Sequence, residues 1–113
     1  MKHMNASRTI GLTLALLATS QAVAWDGTVT GVIRRADVTD GPNYAFRIEL
    51  QGVPQLCGNA NTWAFIDSTT ANYNVYVASI LAAKAAGDTV VVYSNRDATT
   101  GYCRIGYIST NAS

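Results

Sequence analysis

Residues 70–86 read TANYNVYVASILAAKAA. Tyr73, Val77, Ile80 and Leu81, with Lys84 at the end of the stripe, recur at the period of a helix, whereas the sequence on either side alternates like strands. Thr69, Thr70 or Asn72 offers an N-cap oxygen, and Gly87 stands where a helix commonly ends on a left-handed residue. One helix is therefore expected, and its place among the strands decides the fold.

Three strands precede it. In DGTVTGVIRR (26–35), Val29 and Ile33 share a face with Gly31 between them, and a mid-strand glycine suggests a bulge or bend there. Asp40-Gly41-Pro42-Asn43 is a turn. In YAFRIELQG (44–52), Tyr44, Phe46, Ile48 and Leu50 are expected to face inward, Arg47 and Glu49 outward. VPQLCGNAN (53–61) reads as loop, and TWAFID (62–67) as a strand apolar on both faces. After the helix come DTVVVYS (88–94), the turn NRDATTG (95–101) and YCRIGYIS (102–109), with Tyr107 expected on the inward stripe. Strand-strand-strand-helix-strand-strand is the order of the OB-fold, a small Greek-key β-barrel. Another small α+β sheet with the same element order is the alternative.

The N-terminus reads as an export signal. Lys2, His3 and Arg8 form a basic start, TIGLTLALLATS (9–20) is an apolar run too short to span a bilayer, and Ala22-Val23-Ala24 fits signal peptidase. Cleavage is expected between Ala24 and Trp25, leaving one domain, residues 25–113, secreted or periplasmic and with no membrane span. Six basic and seven acidic residues remain in it, a net charge of −1, which argues against a nucleic-acid partner. The one histidine, His3, belongs to the signal. No imidazole is left to serve as general base or metal ligand, so neither catalysis, metal nor cofactor is expected. Asp37 and Asp40 beside Gly41-Pro42 read as turn residues rather than an acid–base pair.

Cys57 and Cys103, the only cysteines, are expected to form a disulfide in an oxidising compartment. In an OB barrel the third and fifth strands are parallel neighbours. Cys57 precedes the third and Cys103 opens the fifth, so a bridge would fasten two strand starts together.

Two surfaces are candidates for binding. Tyr93 and Tyr102, expected outward, flank the last turn, where Arg96, Asp97 and Thr99 supply donors and acceptors; OB-folds often bind oligosaccharides through this loop. Plain turn chemistry is the competing explanation. On the helix, Tyr73, Tyr76, Val77, Ile80 and Leu81 are expected to cap the barrel. The opposite face carries Ala71, Val75, Ala78, Ala82 and Ala85, and Lys84 is the helix's only charge. That face suits either a subunit interface or a weakly polar Ala-rich surface.

The opening WDG (25–27), the TWAFID strand and the helix end AAKAAGDTVVVYS (82–94), within a small exported domain carrying one long-range disulfide, resemble the pentameric B subunits of bacterial AB toxins, nearest the subtilase and pertussis-type branch. The resemblance implies a homo-oligomeric ring lined by the helices, a glycan or host receptor bound on its outer surface, and a secreted enzymatic A subunit as partner. No segment here matches the family's serine-centred sialic-acid pocket, so no binding residue is carried over. The alternative is an exported domain acting by protein–protein contacts, such as a periplasmic inhibitor or envelope component.

Overall fold

The computed structural model describes residues 24–58 and 60–110. Its strands are β1 (Gly27–Val38), β2 (Phe46–Leu50), β3 (Ala64–Ile66), β4 (Thr89–Arg96) and β5 (Cys103–Thr110), and the helix α1 (Tyr73–Ala86) lies between β3 and β4. They close into a barrel in the order β1-β2-β3-β5-β4. Every pairing is antiparallel except β3 with β5, where Ala64 faces Cys103 and Phe65 faces Arg104. This is an OB-like small barrel. The expected signal segment, apart from Ala24, lies outside the described residues.

Phe46, Ile48 and Leu50 from β2, Ile66 from β3, and Val90 and Val92 from β4 fill the interior with less than 2 % of their surface exposed. Alternation places them there: each strand sends every second side chain inward. Closure removes the free strand edges, so every strand finds two neighbours.

The Cys57–Cys103 disulfide is formed, with its Cα atoms 5.5 Å apart and both residues fully buried. Cys103 begins β5 at its pairing with Ala64, so the bridge ties the loop before β3 to the start of β5. The same loop plugs this end of the barrel with Leu56, whose carbonyl accepts a hydrogen bond from the buried Ser94 hydroxyl at 2.9 Å. Ser94 pairs across the sheet with Gly27, and a Cβ at Gly27 would lie 1.8 Å from that same carbonyl oxygen. Only a glycine lets β1 pass this closely.

Four local expectations are corrected. Tyr44 is not part of β2. It ends a single 3-10 turn, Gly41–Asn43, in the left-handed region (φ 60°), and its ring lies outside the barrel against Phe65, at 5.0 Å between centroids. Tyr107 points outward and is 53 % exposed. The β4–β5 pairing slips one residue between Tyr93 and Ser94, so Cys103 and Ile105 face inward, Gly106 is the extra residue, and inward packing resumes at Ile108. In α1, Leu81 is 44 % exposed and Ala83 is buried beside Ile80, because a residue three places on shares Ile80's face of the helix while the next residue is turned away from it. The irregularity expected at Gly31 falls instead between Ile33 and Arg35, while Gly31 keeps its place against Leu50.

The helix ends as expected, Gly87 adopting φ 70° and its N–H reaching the Ala83 and Lys84 carbonyls. Asn72 occupies the N-cap position without a side-chain capping bond.

Candidate functional site

The loop between β4 and β5 is built by its own turn residues. The Asp97 N–H donates to the Tyr102 carbonyl and the Gly101 N–H to the Asp97 carbonyl, both at 2.8 Å, and Gly101 takes φ 80°. The Asp97 carboxylate accepts from the Thr100 hydroxyl at 2.9 Å and the Thr100 N–H at 3.1 Å. These bonds favour the charged form and hold Asp97 below the usual carboxylate range. Asp97 is thus committed to the turn, while Thr99 is exposed at its tip.

The tyrosines that flank this loop in sequence part company in space. Tyr102 joins Tyr44 (5.1 Å) and Trp63 (4.8 Å) over the outward-facing Phe65, a second small apolar layer outside the barrel. That layer explains why TWAFID is apolar on both faces: Ala64 and Ile66 face the core, and Phe65 is covered from outside. Tyr93 stays beyond the other side of the hairpin, between Trp25 (5.7 Å) and Tyr107 (4.6 Å), its direct cross-strand partner.

Trp25 is the residue the sequence reading missed. Its indole lies over Gly106, where a Cβ would approach the ring to 2.6 Å. Asp26 fixes the segment beside it. Its N–H donates to Asn95 Oδ1 and its Oδ2 accepts from the Arg96 N–H, each at 2.8 Å. The Tyr76 hydroxyl, reaching from α1, donates to the Gly106 carbonyl at 2.9 Å. Together they enclose a cleft of about 550 Å³ lined by Trp25, Tyr76, Arg96, Asp97, Arg104 and Gly106 among others. That volume is in the range of small-ligand sites.

Arg96 brings its charge to the rim, and its backbone, rather than its side chain, is engaged by Asp26. Arg104 pairs loosely with Asp67 at 3.6 Å. Asp67 accepts bonds from the Thr69 N–H and hydroxyl, and these, aided by Arg104, depress its pKa. The cleft therefore offers an aromatic plane and two guanidinium groups beside carboxylates already bonded locally. Among the described residues, no group of three His, Cys, Asp or Glu side chains converges as a metal site would need.

The helix face stands open. Val75, Ala78, Ala82 and Ala85 are all exposed, Val75 by 63 %, and Leu81 joins them; Ala71, expected on this face, is also exposed but lies in the turn before α1. No described helix is long and apolar enough to cross a membrane.

No family model matches this chain, and no curated protein or solved structure does.

Proposed function

We propose that this chain is an exported, non-catalytic binding module that holds a glycan or glycosylated receptor in the Trp25 cleft and works as a homo-oligomer, in the manner of toxin B subunits. The observation that carries this reading is the seating of Trp25 on Gly106 beside Arg96 and Arg104. An indole plane suits the apolar face of a sugar ring, and guanidinium forks fix hydroxyls or carboxylates directionally. The open helix face supports self-association, since an exposed helix surface is ordinarily charged. A ring of five subunits and an enzymatic A subunit are what the family resemblance adds. The second reading, a domain acting through protein contacts, draws on that same helix face with a different protein as occupant.

A glycan array probed with the exported protein separates the two. Saturable binding to a defined sugar class, lost in Trp25→Ala and Arg96→Ala while circular dichroism is unchanged, supports the first. Tyr102→Ala should bind like wild type, because Tyr102 lies outside the cleft. No glycan bound by an oligomeric, folded protein sinks it.

A further inference from the structure

Among the described residues, Arg47 is the one arginine of the β1–β2 face that no carboxylate pairs. The other outward arginines of the β1–β2 face are paired: Arg34 with Glu49, and Arg35 with Asp37 at 3.1 Å. Arg47 stands across the sheet from Asp37 in register, yet its guanidinium lies over the Trp63 ring, 5.0 Å from the centroid, in no ion pair. Its Nε is buried with no hydrogen-bond partner. A buried donor left unsatisfied is costly, and a charged one more so, so native structures keep few of them. Beside it is a hollow of about 280 Å³ lined by Arg35, Asp37, Arg47, Glu49 and Trp63. It shares no lining residue with the Trp25 cleft.

We infer that this hollow is a second binding site, for a sugar bearing a single carboxylate, with Arg47 as the group that reads the charge. The three arginines and two carboxylates leave one positive charge unmatched, which suits a monoanion. A dianion such as phosphate would meet Asp37 and Glu49 at close range and be repelled. Those carboxylates keep lone pairs for ligand hydroxyls, which a sugar supplies in number. The guanidinium edge presents parallel donors that match a carboxylate side-on. Taking that carboxylate draws the guanidinium off the indole and gives Nε the acceptor it lacks, so Trp63 reports the event. This site stands on observations separate from the Trp25 cleft, and either can fail alone.

The test is a titration followed by two-dimensional nitrogen–proton NMR of the disulfide-bonded protein, watching the Arg47 Nε–H and Trp63 indole signals. Glucuronate should move both saturably, with glucose and acetate each weaker by roughly tenfold or more, the loss of one charge-assisted pair or of the hydroxyl contacts. Arg47→Gln should abolish the Trp63 shift with the rest of the spectrum intact, and Arg47→Lys, which keeps the charge without the fork, should weaken it. Absence of a saturable shift in the wild type overturns the site. Glucose acting as strongly as glucuronate overturns the role of Arg47. Acetate acting as strongly overturns the sugar, and tighter binding of inorganic phosphate overturns the monoanion. The wild-type titration decides even if a variant fails to fold.

Discussion

The indole of Trp25 and the backbone of Gly106 touch so closely that a single methyl on Gly106 would stand 2.6 Å from the ring. Gly106 is also the extra residue of the β4–β5 slip that turns Tyr107 outward beside Tyr93. One glycine therefore both seats Trp25 in the cleft and sets the face on which Tyr107 meets Tyr93. Gly106→Ala should push Trp25 aside, costing about 1–3 kcal/mol as overpacking does, and should alter the tryptophan fluorescence. The cost should shrink markedly in a Trp25→Ala background. An equal cost in both backgrounds would show that the indole is not what the methyl meets.

Gly27→Ala should be more severe. The added carbon would lie 1.8 Å from the Leu56 carbonyl oxygen, a backbone atom that cannot rotate away and that also holds Ser94. We expect roughly 3–5 kcal/mol of destabilisation in urea titrations, at the large end for single substitutions. A change below 1 kcal/mol, on the same scale, would mean that the Leu56 loop is not packed over β1 as described.

If the N-terminal segment is an export signal, the mature protein should begin at Trp25 and weigh two hydrogens less than its reduced form, which intact-mass spectrometry reads directly. Closing a loop of 46 residues restricts the unfolded chain, so Cys103→Ala should cost about 2–5 kcal/mol. Two free thiols in natively exported material would overturn the expectation of an oxidising compartment.

Ala78→Glu and Ala82→Glu each place a carboxylate on the open helix face. If that face is a subunit interface, sedimentation should show dissociation into folded monomers, because an unpaired charge is costly to bury. Wild-type protein that sediments as a monomer at high concentration ends the oligomer proposal.

Asp97 carries a pH signature of small size, since it is only partly buried. The Thr100 hydroxyl and N–H lower its folded pKa below the ordinary 3.8. Its contribution is therefore present above that ordinary value and is lost as pH falls through the depressed one. Asp97→Asn should be less stable than wild type at neutral pH, and the gap should close on acidification through that range. A gap that is constant with pH would show that the charge of Asp97 plays no part in the turn.

Much of the barrel was legible because it rests on local signals. The period change at residues 70–86 marked α1, Gly87 ended it, and alternation in FRIEL (46–50) and TVVVYS (89–94) set inward and outward faces. The element order then suggested the barrel, and the barrel placed the two cysteines together. For the candidate site, the sequence pointed to this hairpin and to Arg96, which lines the cleft, but it grouped Tyr93 with Tyr102, because both flank one turn. A hairpin has two sides, and these rings lie on opposite ones, each held by partners distant in sequence: Trp25 for Tyr93, Tyr44 and Trp63 for Tyr102.

What the sequence by itself determined is where strands, helix, turns and disulfide fall, since period, punctuation and cysteine count are properties of neighbouring residues. What only the tertiary structure decided is which side chains meet across strands. The one-residue slip at Gly106 reverses the face of Tyr107, the face that α1 turns to the barrel buries Ala83 rather than Leu81, and a left-handed turn carries Tyr44 out of β2 onto Phe65. A single-residue change of register inverts every side chain beyond it, and no local pattern reports it, because it is fixed by contacts between segments far apart in the chain.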